Sequence, residues 1–132
     1  MAQQTKKQKA KVIILTLEKG NEEIYGRVEL KDAMIVTSAK TFNALLPKMK
    51  NLIKEETSIE HIDFEIRYDM LTFFERFKFL NITKLADELG INSSLMRQYS
   101  KGIKSPSVEQ TKKIMIQINA LGKELQKAKV LA

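Results

Sequence analysis

Residues 81–102 read NITKLADELGINSSLMRQYSKG, and this stretch predicts two short helices joined by a tight turn. Asn81 is a favourable N-cap for the first helix, because its side-chain oxygen accepts a hydrogen bond from a backbone N–H that lacks a helical partner. Gly90 suits the left-handed position that ends such a helix. Three apolar residues between them recur at helical spacing and predict the buried side of the helix: Leu85, Ala86 and Leu89.

The second helix of this stretch begins after a polar cap at Asn92 or Ser93 and stops at Gly102. Its spacing turns Met96 and Tyr99 towards the interior. An apolar pair, a glycine turn, a polar cap and then two apolar residues on one helix side are typical of the helix-turn-helix motif. An ordinary helical hairpin is the alternative interpretation.

The motif and the loop that follows it resemble the Cro-type (XRE-like) phage repressors. The resemblance is carried by the pattern LAxxLGINSSxMxxYxxG at residues 85–102 and by KxPS at residues 104–107. It covers residues 70–121 and implies a DNA-binding domain whose second motif helix lies in the major groove.

In that position, the outward residues of the second helix are expected to contact bases: Ser93, Ser94, Arg97 and Gln98. Arg97 suits a bidentate contact with guanine, and Gln98 suits a bidentate contact with adenine. Polar residues at the helix ends and in the next loop are expected to contact phosphates: Asn81, Thr83, Lys84, Lys101, Lys104 and Ser105. For each of these residues taken singly, plain solvent exposure is the alternative.

The net charge of the 132-residue chain is +7, and this charge is unevenly distributed. Residues 1–11 carry +4, residues 12–68 carry −2, and residues 69–132 carry +5. The basic excess therefore lies in the part that contains the motif, where a DNA backbone would be met. The mildly acidic middle part would suit a basic protein partner.

The composition predicts a cytoplasmic protein without a membrane segment. Apolar residues make up 43% of the chain, which is ordinary for a globular protein. The chain has no cysteine, so it has neither a disulfide framework nor a cysteine zinc site, which fits a reducing cytosol. The N-terminus lacks the apolar core of a signal peptide, and no apolar run reaches membrane-spanning length.

The residues before the motif predict a small β-β-β-α-β domain. Their apolar and alternating runs predict strands at residues 11–19, 24–30, 34–37 and 59–68. The first strand is apolar on both faces, as expected of a central strand. In the second strand, Tyr25 and Arg27 lie on one face, whereas Ile24, Gly26 and Val28 lie on the other.

A helix capped by Thr41 is predicted between the third and fourth strands. Its apolar side consists of Phe42, Leu45, Leu46, Met49, Leu52 and Ile53. Pro47 is the exception, because proline is unfavourable inside a helix. The helix either kinks at Pro47 or begins near Leu46, and the continuous stripe favours a kink.

After residue 68 the apolar period changes from two residues to about 3.6. An aromatic-rich helix is predicted over residues 70–80, with Asp69 at its N-terminus. A last helix begins at Ser107, with a predicted stripe of Val108, Thr111, Met115, Ile118, Leu121 and Leu125. The predicted α+β organisation is a disordered basic tail (1–10), the β-β-β-α-β domain (11–68) and an all-α helix-turn-helix domain (69–132).

From residue 11 to residue 131, the arrangement resembles the HicB-type antitoxins that end in a repressor-type helix-turn-helix. The resemblance is carried by VIIL (12–15), YGRVE (25–29), TSAKT (37–41), FEIRYD (64–69), FFE (73–75) and LMRQY (95–99). It implies a truncated RNase-H-like domain that binds a small, basic, RNA-cleaving, HicA-like toxin. It also implies a second domain that binds the operator DNA of the shared operon.

The expected function is therefore that of an antitoxin and autorepressor. A homodimer or a higher even oligomer is expected, since a single recognition helix reads too few base pairs. A stand-alone transcription regulator, whose N-terminal domain only oligomerises or senses a ligand, is the alternative.

A metal-dependent nuclease is the alternative from the enzyme class. Its chemistry needs several carboxylates around two metal ions, and the candidates are Asp63, Glu65 and Asp69. Asp63 and Glu65 alternate on the polar face of a strand, as solvent-exposed residues do. His61 is the only histidine and, without cysteine, builds neither a metal site nor a catalytic triad. We therefore expect no catalytic residue, no metal and no cofactor.

Overall fold

The computed structural model describes residues 9–132, which form two compact units that divide between Thr72 and Phe73. The predicted α+β fold class is confirmed, since three strands, a helix and a strand precede four further helices. The elements are β1 (Lys11–Lys19), β2 (Ile24–Glu29), β3 (Met34–Ala39), α1 (Phe42–Glu56), β4 (Ile62–Tyr68), α2 (Met70–Arg76), α3 (Ile82–Leu89), α4 (Ser93–Ser100) and α5 (Val108–Lys127).

The sheet of the first unit has the strand order β3-β2-β1-β4. The first three strands form an antiparallel meander, and β4 returns after α1 to pair with β1 in parallel. Thr16 of β1 consequently lies between Arg27 of β2 and Arg67 of β4. The prediction that β1 is a central strand is confirmed.

One face of this sheet and the inner side of α1 form the core of the first unit. Every second residue of β1 and β2 is turned to this face, as the period of a strand requires. Buried residues from the four strands and from α1 meet there: Ile13, Leu15, Leu17, Ile24, Val28, Ile35, Leu45, Met49, Ile53 and Ile62. Gly26 lies on this face, where a Cβ atom would come within 2.8 Å of the Leu45 Cδ2 atom.

Within the described part of the first unit, no element covers the opposite face of the sheet, and we call it the open face. It carries the large apolar residues Val12, Ile14, Tyr25, Met34 and Val36, all of them exposed. Val12 and Ile14 of β1 lie on this face and are as apolar as the core residues of β1, but α1 covers only the core face. The open face of this two-layer unit therefore combines exposed apolar residues with charged residues of the same strands.

Helix α1 runs through Pro47, so the alternative that it begins near Leu46 is wrong. The Thr41 Oγ1 atom accepts a hydrogen bond from the Ala44 N–H at 3.1 Å and fixes the start of the helix at Phe42. Pro47 lies on the exposed side of α1, where water can hydrate the carbonyl that proline leaves without a helical donor.

Three predicted strand ends differ from the structure. Strand β4 begins at Ile62 rather than at residue 59, because Thr57 folds the chain into a turn. Its Oγ1 atom donates to the Ile53 carbonyl at 2.7 Å and accepts from the Ile59 N–H at 3.1 Å. Strand β2 ends at Glu29, where a turn begins with the Leu30 N–H bonded to the Ala33 carbonyl at 2.7 Å, and β3 extends to Ala39.

Helix α2 follows Asp69 as predicted, and the Asp69 Oδ1 atom accepts the Thr72 N–H at 2.8 Å. It ends at Arg76, however, and not at residue 80. Residues 77–80 form turns, in which the Leu80 N–H donates to the Phe77 carbonyl at 3.1 Å, and Asn81 then takes an extended conformation, with φ −79° and ψ 107°, as the cap of the next helix.

Helix α5 begins after Ser107 as predicted, but its buried position was predicted wrongly. Ile114, which the predicted stripe leaves out, is fully buried, whereas Val108 and Met115 of that stripe are exposed. The helix packs against α3, and this contact selects the side of α5 that is buried. Gly122 neither ends nor interrupts the helix.

The predicted tail falls almost entirely on residues 1–8, which lie outside the described residues. Within residues 9–132, every helix is too short or too polar to cross a membrane.

Candidate nucleic-acid interface

The predicted pair of helices is present as α3 and α4, joined by residues 90–92. Asn81 caps α3 by accepting the Lys84 N–H at 3.1 Å. Gly90 ends α3 with φ 67°, the left-handed conformation that a side chain would disfavour. Asn92, rather than Ser93, caps α4 and accepts the Ser94 N–H at 2.8 Å. Local side-chain chemistry therefore fixes both ends of the turn.

The inward sides of α3 and α4 form the core of the second unit. Their buried residues are Leu85, Ala86, Leu89, Ile91, Met96 and Tyr99, joined by Ile114 of α5 and Phe74 of α2. All the inward positions predicted for these two helices are confirmed. Burial of this side leaves the polar residues of both helices on the surface.

The most specific contact on that surface joins α3 to α4. The Arg97 guanidinium donates a hydrogen bond from its Nη2 atom to the Thr83 Oγ1 atom at 3.1 Å, although the two residues are 14 positions apart. Both residues are exposed. The structure thus brings one residue predicted to contact bases against one predicted to contact phosphate.

Ser93 and Ser94 lie in the first turn of α4, beside the Asn92 cap. Ser94 is exposed and Ser93 is half-buried. This end of the helix carries the N-terminal N–H groups and the positive end of the helix dipole. The position suits short hydroxyl side chains that approach base edges or phosphates closely.

Gln98 is placed differently from the other residues predicted to contact bases. Its Oε1 atom is buried and has no hydrogen-bond partner among the described residues. Its backbone carbonyl accepts the N–H groups of Ile103 and Lys104, at 2.9 Å and 3.4 Å. In this conformation Gln98 shapes the loop after α4, and its side-chain amide is not presented for a bidentate contact with adenine.

Three of the residues predicted to contact phosphates add exposed positive charge in α3, at the end of α4 and in the loop after α4: Lys84, Lys101 and Lys104. None of these lysines forms an ion pair within residues 9–132, and neither does Arg97. Ser105 is also exposed, whereas the Asn81 side chain is already used as a cap and retains only its amide NH₂ group for a ligand. The acidic residues Asp87 and Glu88 lie in the last turn of α3, about 6 Å along the helix from Thr83 and Lys84.

Two exposed apolar residues beside this surface carry no role in the sequence-based prediction. Ile103 is 68% exposed between Lys101 and Lys104, and Phe79 is 80% exposed just before the Asn81 cap. Apolar side chains at such positions can contact thymine methyl groups or sugars. An isolated apolar residue between two lysines, directly after a glycine, is the signal by which Ile103 could have been found.

The candidate nuclease residues are all on the first unit. Asp63 and Glu65 are exposed on the open face, and Glu65 forms an ion pair of 2.9 Å with Arg67. Asp69 serves as the cap of α2, and His61 is exposed. Within residues 9–132 there is no group of three or more acidic, histidine or cysteine side chains that could hold a metal ion.

Comparisons of the chain with models of protein families, with curated proteins and with solved structures find no match.

Proposed function

We propose that the protein is the antitoxin and autorepressor of a type II toxin–antitoxin pair, and that α3 and α4 bind the operator DNA. The observation that carries the DNA-binding part is the outward surface of these helices. Arg97 is held there against Thr83, and four cations stand without an acidic partner in the described part of the chain. Such a surface suits a phosphate backbone and the edges of bases.

The C-terminal half of α5 supports binding as a homodimer. Ile118, Leu121 and Leu125 follow one another at intervals of three and four residues, the spacing of a coiled-coil seam. Leu121 is only half-buried and Leu125 is 64% exposed. A second copy of α5 would cover them, and such a dimer would read two half-sites about 34 Å apart.

The first unit supports the antitoxin part of the proposal. Its β-β-β-α-β order is the arrangement that the resemblance to HicB-type antitoxins implies. Residues 12–68 carry a net charge of −2, which favours a small, basic, HicA-like toxin as the partner. We propose no catalytic role, no metal and no cofactor for the chain, and we place its function in the cytoplasm, where the operator lies.

A stand-alone regulator is a second candidate, and the open face of the sheet favours it. An exposed apolar sheet face is a plausible contact between copies of the chain. In this candidate the first unit only oligomerises, and the DNA-binding role of α3 and α4 is unchanged.

Operator binding is tested by fluorescence anisotropy of the full chain with the DNA upstream of its own gene. A shuffled DNA of the same length and composition is the control. We expect tighter binding to the upstream DNA and a steep loss of affinity with salt. The Lys84→Ala substitution should lower the salt slope by about one. Equal affinity for the two DNAs would contradict the repressor part of the proposal.

The antitoxin part is tested by recovering the tagged full chain from its native host at moderate salt and identifying its partners by mass. A stoichiometric small basic protein that stops growth when it is expressed alone would support the antitoxin. Recovery of the chain with DNA and its own copies alone would favour the stand-alone regulator.

A further inference from the structure

Four charged residues of the open face are arranged in two rows that run across the strands, and Glu18 and Asp63 lie on the same face outside these rows. One row contains Val36, Arg27, Thr16 and Arg67, because Arg27 pairs with both Val36 and Thr16, and Thr16 pairs with Arg67. Two residues further along the strands, Glu29 pairs with Met34 and Ile14 pairs with Glu65. Ile14 and Glu29 line one surface depression together with Thr16 and the two arginines, so these four residues form the second row. The first row is therefore basic and the second is acidic.

Each arginine already pairs with the glutamate of its own strand. The Arg27 Nε atom lies 3.6 Å from the Glu29 Oε1 atom, and the Arg67 Nη2 atom lies 2.9 Å from the Glu65 Oε2 atom. These four side chains remain well exposed, at between 45% and 74%. They hence retain hydrogen-bonding capacity for a partner above the face.

We propose that the open face binds the open face of a second copy of this chain, about a two-fold axis that runs between the two rows. Rotation about that axis places the basic row of each copy over the acidic row of the other. Arg27 then faces Glu29 of the second copy, and Arg67 faces Glu65 of the second copy. Ile14 faces Thr16, and Met34 faces Val36. The two sheets stack with aligned strands, about 10 Å apart, as in a β-sandwich.

The pattern of the two rows favours a second copy as the occupant. The two arginines and two glutamates of the rows cancel, and Glu18 and Asp63 beyond the rows leave the face with a net charge of −2, so a nucleic acid gains nothing from this charge. Val12, Ile14, Met34 and Val36 are between 43% and 64% exposed and gain from burial against any apolar surface. A copy of the same face supplies both the apolar surface and, for Arg27, Glu29, Glu65 and Arg67, the opposite charge. This inference does not depend on the proposed DNA or toxin binding.

The test is a charge-reversal exchange in the full chain, with molar mass measured by light scattering. In the Arg27→Glu chain, positions 27 and 29 are both acidic, and in the Glu29→Arg chain they are both basic. Neither variant is complementary to itself, but each is complementary to the other. The intrachain ion pair between positions 27 and 29 is absent from both variants. An increase in molar mass on mixing can therefore come only from contact between copies.

We expect a wild-type mass of at least twice the 15.2 kDa of one chain, and about half the wild-type mass for either variant alone. An equimolar mixture of the two variants should regain the wild-type mass. The matched controls are Lys54→Glu and Glu55→Lys on the exposed side of α1, which make the same charge changes and should leave the mass unchanged.

A monomeric wild-type chain would overturn the proposal, and so would variants with an unchanged mass. A mixture of two folded variants that fails to regain the wild-type mass would also overturn it. Circular dichroism tests whether each variant is folded. We expect both variants to fold, because positions 27 and 29 are exposed.

Discussion

The Arg97 guanidinium donates a hydrogen bond of 3.1 Å to the hydroxyl of Thr83, so that α4 and α3 are joined on their outward sides. A long arginine side chain loses considerable rotamer freedom when it binds a ligand. A hydrogen bond that holds it in place beforehand reduces that loss. Under the proposed DNA binding, we therefore expect this hydrogen bond to affect recognition more than folding, since both residues are exposed.

The Arg97→Ala substitution should weaken binding to the specific DNA site by about 1–3 kcal/mol and relax the base preference at one position. The reason is the loss of a bidentate donor on the outward side of α4. Fluorescence anisotropy with specific and shuffled DNA measures both effects. Lys54→Ala, which removes an exposed cation from α1, is the control and should change neither. Unaltered affinity of the Arg97 variant would remove this residue from the interface.

The Thr83→Val substitution should lower the preference for specific over shuffled DNA by about 0.5–1.5 kcal/mol, the usual value of one hydrogen bond. Valine keeps the shape of the side chain and leaves Arg97 without its acceptor. Thr83→Ser retains the hydroxyl and should behave as the wild type does. If the valine and serine variants bind alike, the hydrogen bond does not position Arg97.

Gly26→Ala and Gly122→Ala make the same chemical change with opposite expected effects. The methyl group at Gly26 would lie 2.8 Å from Leu45 Cδ2 and 3.2 Å from Leu15 Cδ1, and both leucines are fully buried. We expect Gly26→Ala to lower the free energy of unfolding of the first unit by about 1–3 kcal/mol.

A methyl group at Gly122 meets nothing within 4 Å in the described part of the chain and lies inside α5. Gly122→Ala should therefore raise the free energy of unfolding of the second unit by about 0.5–1 kcal/mol. Urea unfolding followed by circular dichroism checks both substitutions. Equal effects of the two would show that α1 does not pack tightly on Gly26.

Ile114→Ala should destabilise the second unit by about 2–5 kcal/mol, because this side chain is fully buried and its loss leaves a cavity. Ile116→Ala is the matched control on the same helix, since Ile116 is 66% exposed and its removal should change the free energy of unfolding by less than about 0.5 kcal/mol. Thermal unfolding of the full chain compares the two. Similar melting temperatures for both variants would contradict the buried side assigned to α5.

Elements whose signals are local could be predicted well from the sequence. Strand β1 and the caps of α1 and α3 lie where the residues predict them, since a Thr or Asn side chain acts within three residues of itself. Ends without such a cap were predicted less well. The predicted helix over residues 70–80 continued four residues beyond Arg76, because an apolar period does not state where a helix stops.

The candidate interface could be predicted only in part. The helical period identifies Arg97 as outward, but it does not reveal that Thr83 is its partner, because that contact crosses between two helices. The period also places Gln98 at the edge of the outward side, where side-chain conformation alone decides that its Oε1 atom is buried. Both outcomes depend on neighbours that are distant in sequence or on the following loop.

By itself, the sequence determined the α+β class, the order of strands and helices, and the polar outward side of α4, since period and capping act over a few residues. Only the tertiary structure decided that Ile114 is the buried residue of α5, because the packing of α3 selects one side of that helix. It also decided that Arg27 and Arg67 lie in one row across Thr16. Strand register sets this relationship, and register is established by the whole sheet rather than by any one strand.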